Sequence, residues 1–411
     1  MLPRQAKGHG SMSVQPSSIS SKEFIALMAM IMSLMALAID AMLPALGAIG
    51  SSLNVMNPND NQLVISSIFL GMSMGLMLYG PISDSFGRKK AIYLGVSIFL
   101  VGDLISLFAQ DFSLMILGRL LQGFGAAACR VVSIAMIRDK FSGKEMASVM
   151  SLIMMTFIMV PALAPSVGQS ILLFAPWQGI FVLLFVFALC SLLWLHLRQS
   201  ETLAPENRIP FSYNNVKSGV LETLKHPVSL PYTLAGGIMF GSFIGYLSSA
   251  QQIFQVQYQT GELFALYFGV LALALGLASF ANSKLVMHFA MEKLCTIALS
   301  VLSLLSLVFY IYAQAQQGQP PLLAFMIYLG LTFFCFGILF GNFNTLAVHP
   351  LGHIAGVANS VISTVSTFMS VLIGAMIGQL YDGTVLPLIL GFAGCGIFTL
   401  VIVLRIPKQP A

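Results

Sequence analysis

The chain is expected to be all-α and embedded in a membrane, as twelve transmembrane helices in two pseudo-symmetric six-helix bundles. Three observations lead there. Of 411 residues 57% are hydrophobic and only 8% charged, and the mean hydropathy is +0.90, whereas a soluble globular chain carries roughly 25% charged residues. The apolar residues gather into runs of about 20 or more, long enough as helices to cross a hydrocarbon core of roughly 30 Å. The nineteen Lys and Arg residues lie in alternate gaps between those runs, apart from Arg119 and Arg130 inside one of them.

The runs cover 24–46, 62–82, 91–109, 112–137, 145–172, 177–197, 229–252, 263–288, 294–313, 321–347, 354–380 and 384–405. Residues 1–23 precede them, a polar, Ser- and Gly-rich stretch expected to be disordered and cytoplasmic. Arg88, Lys89 and Lys90 follow the second run; Arg138, Lys140 and Lys144 follow the fourth; Arg198, Arg208, Lys217 and Lys225 follow the sixth. Lys284 and Lys293 flank the gap after the eighth, and Arg405 and Lys408 follow the last. The odd gaps contain no Lys or Arg, so the positive-inside bias puts both termini and every even gap in the cytoplasm. The first run is too long for a signal-peptide core and is expected to be retained.

The longest polar interruption, 198–228, is expected to be a cytoplasmic linker between the bundles 24–197 and 229–405, with 406–411 as a cytoplasmic tail. The halves echo each other at a shift of about 203 residues, setting Phe86-Gly-Arg-Lys-Lys90 against Phe289-Ala-Met-Glu-Lys293. Parallel repeats of this kind occur in transporters that rock two halves about a midplane site. The echo is uneven, because Asp84 falls on Met287 and Arg88 on Met291. Ionisable residues well inside the spans are Asp40, Asp103, Arg119 and Arg130, all in the first half.

Several other chemistries find no support. The net charge of +5 is scattered over short loops without interleaved aromatics, which argues against nucleic-acid binding. Five isolated cysteines form no disulfide or metal pattern and are expected to pack as small apolar residues. Gly71-Met-Ser73-Met-Gly75 has nucleophile-motif spacing but sits in mid-span, where small residues four apart suit helix packing; Gly237, Gly241 and Gly245 read the same way. His349 and His353 are four apart without a carboxylate beside them, and no metal is assigned to them. No G-x-x-x-x-G-K-[ST] pattern is present, so energy must come from an ion gradient or the substrate's own. No cofactor is expected.

The loop after the second span reads Gly80-Pro-Ile-Ser-Asp84-Ser-Phe-Gly87-Arg88-Lys89-Lys90. It resembles the signature of the major facilitator superfamily, G-x-x-x-D-R-x-G-R-[RK], with Ser85 where Arg is usual. Leu117-Gly-Arg119-Leu-Leu-Gln122-Gly123 is similar to that superfamily's intramembrane Arg motif, and Pro161-Ala-Leu-Ala-Pro165-Ser-Val-Gly168 to the motif of its antiporters. Asp40-Ala-Met-Leu-Pro44, Trp177-Gln-Gly-Ile-Phe181 and Glu201-Thr202 resemble the drug:proton antiporter branch related to bicyclomycin and chloramphenicol resistance proteins (Bcr/CflA-like). Asp103 and Arg130 lie outside the branch pattern, and Gly341-Asn342 stands where the branch has Pro-Asn. The resemblance implies proton-coupled export of a small amphipathic compound across the inner (plasma) membrane by a single chain. An importer of a small metabolite would share the fold, while an intramembrane enzyme or a scaffold would not explain the charges.

Candidate roles follow. Helix rise puts Asp40 about 24 Å and Arg119 about 27 Å from the cytoplasmic ends of their spans, so the two are expected to share the bundle interior. A charge at the bilayer centre costs about 2.5–3.5 kcal/mol on insertion scales, and each therefore needs a partner or a wet cavity. Asp103 and Arg130 are expected to pair with each other. Two readings of these charges stand together, static salt bridges and a proton-coupling group whose affinity changes with cavity access. Gly80, Asp84, Gly87, Arg88, Asp139, Pro161, Pro165 and Gly168 are candidates for gating, with Arg88 approaching Asp139 and Asp84 approaching the start of the eleventh span when the cytoplasmic side is closed. Gln122, Gln251, Gln252 and Asn342 are candidate substrate contacts, since amides in or beside lipid need hydrogen-bond partners.

Overall fold

The computed structural model describes residues 19–209 and 213–407. Every regular element among them is helical. In the first half these are α1 (Ser21–Asp40), α2 (Leu46–Ser52), α3 (Leu63–Phe86), α4 (Arg88–Leu107), α5 (Phe112–Lys140), α6 (Gly143–Leu172) and α7 (Gln178–Arg198). In the linker lies α8 (Tyr213–Lys225), and the second half holds α9 (Ser229–Gln251), α10 (Phe264–Leu285), α11 (Met291–Ala315), α12 (Leu322–Val348), α13 (Ala355–Gln379) and α14 (Leu386–Leu404). Ten helical stretches are long and apolar enough to cross a membrane; one of them, Leu322–Gln379, joins two crossings, α12 and α13, and α6 supplies the twelfth. The exterior bears large apolar side chains, Leu277, Phe280, Leu304 and Phe398 among them, in a quantity no water-facing surface carries.

Three features depart from the expectations. The disorder expected through residue 23 does not extend that far: α1 begins at Ser21, where Ser20 Oγ accepts the Glu23 N–H at 3.2 Å. Residues 1–18 lie outside the described residues. The first span is not one helix, because α1 stops at Asp40 and the chain passes through a 3-10 turn, Leu43–Ala45, into α2. Pro44 explains the stop, having no N–H for the Asp40 carbonyl and a ring that collides with it. The linker contains a helix, α8, which packs on α13 with Gly219 against Val357 and Glu222 Oε1 2.7 Å from His353 Nε2.

Packing within each half is close. α5 lies between α3 and α4, and α9 runs along α13. A methyl group at Gly71 would overlap the Leu120 carbonyl, and one at Gly123 the Ile68 carbonyl, so α3 and α5 touch backbone to backbone. The nucleophile-like Gly71-Met-Ser73-Met-Gly75 is therefore a packing surface. Between the halves, α3 lies on α13 and α6 on α10.

Candidate functional site

The break at Asp40 places a carboxylate in the protein interior. Asp40 is 6% exposed and forms no ion pair among the described residues. α6 closes over the break: a side chain at Gly168 would overlap the Ala41 carbonyl, so the glycine permits contact with the residue that follows Asp40. Pro165 stands one turn before Gly168 and one after Pro161, so the Pro161 carbonyl lacks a helical partner.

Arg119 is fully buried and satisfied without an ion pair. Its Nε donates to the Val64 carbonyl at 3.2 Å, Nη2 to the Ala38 carbonyl at 2.8 Å and Nη1 to Gln122 Oε1 at 2.7 Å. Gln122 passes the connection on, its Nε2 donating to Asp103 Oδ1 at 2.6 Å. The chain Arg119–Gln122–Asp103 thus crosses from α5 to α4, and Asp103 Oδ2 is left buried without a hydrogen bond among the described residues. Arg119 reaches a carbonyl two residues before Asp40, so the two charges share a level in the bundle interior, as expected from helix rise.

The expected pairing of Asp103 with Arg130 does not form. Asp103 belongs to Gln122, while Arg130 is half-buried with no hydrogen bond or ion pair among the described residues. The register of α4 on α5 decides this. Gly102 meets the Gln122 N–H and the Gly118 carbonyl, putting Asp103 at the level of Gln122. Arg130 is eight residues farther along α5, about 12 Å down the axis and on another face.

A charged cluster ties down the end of the bundle that carries the linker. Arg88 Nε donates to Asp139 Oδ2 at 3.0 Å, as expected, and Nη1 donates to Ser83 Oγ at 2.9 Å and to the Asp84 carboxylate. Asp84 is thus engaged by Arg88 rather than by the first turn of α13, although Gly80 stands close to Ser360 of that helix. Gly87, at φ 105°, makes the turn. Sequence reasoning missed the part played by the linker here. Glu201 accepts the N–H groups of Arg88 and Lys89 at 3.0 and 3.1 Å, capping α4, and Thr202 Oγ1 donates to Asp139 at 2.9 Å. Ser85, standing where the superfamily signature has Arg, donates to the Ile209 carbonyl at 2.8 Å.

The opposite end is closed by neutral groups. Asn59 Nδ2 donates to the carbonyls of Gln379 and Tyr381 at 3.1 and 2.8 Å, and its Oδ1 accepts from Gln252 at 2.8 Å. Gln62 donates to Gln252 at 2.5 Å and to the Gly378 carbonyl at 3.0 Å, and Gln255 Nε2 reaches Gln169 at 3.5 Å. Each of these bonds runs from one bundle to the other, so together they form a seam. The candidate substrate amides are therefore spent within the protein. Gln252 belongs to the seam, Gln251 bonds to Gln255 at 3.0 Å, Gln122 bridges Arg119 and Asp103, and Asn342 forms a reciprocal pair with Asn282 at 3.1 and 2.9 Å.

A second group that sequence reasoning passed over is aromatic. Phe240, Phe243 and Tyr246 on α9 meet Phe333, Phe336 and Phe340 on α12, and Phe240 touches Phe69 of the first half with ring centroids 5.8 Å apart. The signal was a three- and four-residue spacing of rings, indistinguishable in sequence from ordinary core. Tyr246 adds a buried hydroxyl without a hydrogen bond among the described residues.

Two helical bundles joined by a linker, with buried charge in the interior of one and an interface sealed at one end, form the architecture of a secondary transporter. The chain belongs to the Major Facilitator Superfamily, whose sequence model matches residues 24–375. It is 29% identical over 363 residues to a bicyclomycin resistance protein homolog of Haemophilus influenzae, covering 87% of this chain and 89% of the relative. The multidrug resistance protein MdtL of Citrobacter koseri is 27% identical over 374 residues, covering 87% and 89%. The crystal structure of a D-xylose-proton symporter superposes with a TM-score of 0.75 at 12% identity over 94% of this chain and 97% of the other, a likeness of fold alone.

Proposed function

We propose that the protein is a proton-coupled exporter of small amphipathic compounds in the inner membrane, working as a single chain with both termini cytoplasmic. In that orientation the amide seam is the closed outer gate. Asp40 is the proton site. The observation that supports this most is the carboxylate buried at a helix break, without an ion pair among the described residues, beside an Arg119 already satisfied by backbone carbonyls. A carboxylate so placed is sensitive to hydration, because desolvation favours its neutral form and water favours its charge. Rocking the halves changes hydration at Asp40, and the proton exchanges on whichever side is wet. Asp103 and Arg119, joined through Gln122, keep α4 and α5 registered behind it. The Arg88–Asp84–Asp139 cluster and Glu201 hold the cytoplasmic ends, and Gly168 with Pro161 and Pro165 lets α6 move against the break.

Relatives named for bicyclomycin and multidrug resistance support the direction of flux and the substrate class. The test is transport in proteoliposomes under an imposed pH gradient with a panel of antibiotics. Asp40→Asn should remove gradient-driven flux while the protein still folds and binds substrate. Undiminished coupling in that variant would exclude Asp40 as the proton site.

A further inference from the structure

Arg130 is not joined to Asp40 or to the Arg119–Gln122–Asp103 chain and has no partner among the described residues. It lies on α5 eleven residues from Arg119, three helical turns, and so on nearly the same face, the one turned toward α1 and α3. The side chain is half-buried and keeps part of its surface accessible. Partial access on the face turned toward α1 and α3 places it on the inner side of α5 rather than in the closed core. An unpaired charge at that depth is retained against its insertion cost.

Among the described residues no acid offsets it. Asp103 is taken by Gln122, and Asp84 and Asp139 by Arg88. Asp40 stands at the level of Arg119, about 16 Å along the axis from Arg130 and beyond side-chain reach. The helices of the second half that pack on the first, α9, α10 and α13, and α12 beside them, contain neither Asp nor Glu. The inner side of α5 around Arg130 is therefore cationic, and aromatic rings stand above it: Phe69 lies next to Ile68, which packs on Gly123, so the Phe69–Phe240 contact lies about two turns above Arg130. Phe243 and Phe340 continue that group.

The geometry points to Arg130 as the recognition point for an anionic group, a carboxylate, sulfonate or phosphate, carried by a substrate whose aromatic or apolar body rests against Phe240, Phe243 and Phe340. Guanidinium suits such groups because its forked donors match two oxygens at once. This deepens the transport reading and rests on it for the word substrate, though binding itself does not.

The test separates binding from transport. Purified protein in nanodiscs of zwitterionic lipid is titrated with matched probes, 2-naphthoate, 2-naphthalenesulfonate and 2-naphthyl phosphate against neutral 2-naphthamide. At least one anion should bind about tenfold or more tightly than the amide, and Arg130→Gln should erase that preference while leaving naphthamide binding unchanged. Arg130→Lys, which keeps the charge and loses the fork, should fall between. Should Arg130→Gln fail to fold, the wild-type preference and the Arg130→Lys decline still decide. Equal binding of anions and amide, no binding of any probe, or an anion preference that survives in both variants would overturn the inference. Gradient-driven flux, measured separately in proteoliposomes, bears on the transport reading alone: its absence alongside Arg130-dependent anion binding would sink that reading and leave this one standing.

Discussion

Among the described residues Asn59 carries more of the amide seam than any other side chain, so its removal should tip the balance between the two faces. Asn59→Ala deletes three hydrogen bonds between the halves, two donated by Nδ2 to the Gln379 and Tyr381 carbonyls and one accepted from Gln252. The bond from Gln379 Nε2 to the Asn59 backbone carbonyl survives. A neutral hydrogen bond contributes a net of about 0.5–1.5 kcal/mol. Asn59 is half-buried and water takes over its partners once the seam parts, so the low end applies, about 1.5 kcal/mol for the set. These contacts exist only in the closed seam, and the full amount shifts the equilibrium, roughly 12-fold toward the state open at this end. Spin labels at Met56→Cys and Gln316→Cys, exposed positions on opposite halves, would report it as growth of a longer-distance population. The background must lack Cys190, which is exposed and would take label. Because amides do not titrate, the shift caused by Asn59→Ala should be the same at pH 6 and pH 8. An unchanged distance distribution, or a response that depends on pH, would refute the reasoning.

Two further predictions concern the supports. Gln122→Leu should lower the thermal midpoint strongly while leaving the spin-label distances of the seam in place, since it strands Arg119 Nη1 and Asp103 Oδ1 in the interior at a cost of about 1–3 kcal/mol for each group or more; an unchanged midpoint would show that the bridge contributes nothing. Glu201→Ala removes the cap of α4 and should cost about 0.5–2 kcal/mol. Amide exchange over residues 201–209 and the first turn of α4 should rise in that variant, and protection equal to wild type would deny the capping role.

The fold was legible because lipid makes a simple demand. Each crossing needs its own apolar length, and the alternation of Lys and Arg numbers the gaps, so all twelve spans could be marked from the sequence. Local chemistry was legible too: the contact of Arg88 with Asp139 joins the turn after α3 to the end of α5, which the loop motif and the span ends bring together. What escaped was rotation about helix axes. Asp103 and Arg130 looked complementary in one dimension, but the seating of Gly102 on Gly118 and Gln122 turns Asp103 toward Gln122 and leaves Arg130 eight residues away. The break at Asp40 was written in Pro44 and went unread because the depth estimate assumed an unbroken helix. Glu201 appeared only as part of a family likeness, since a cap donated across 113 residues of chain has no local signature. The rings of α9 and α12 had core spacing, and only the contact of Phe240 with Phe69 shows that they face the other half.

The charged cluster, which lies within the first half, and the amide seam, which joins the two halves, act by forces of different range. Arg88, Asp84 and Asp139 attract over a screening length of about 8–10 Å, so ions moved slightly apart still pull on one another. The amides of Asn59, Gln62 and Gln252 act only near 3 Å and lose nearly everything within a fraction of that distance. A closure made of such contacts has no intermediate grip: the halves are fastened or they are loose. In transit, a leak needs both doors ajar together. A door that lets go abruptly spends little time ajar, and the uncharged seam gives the protein that property whatever the acidity or salt of the medium beside it.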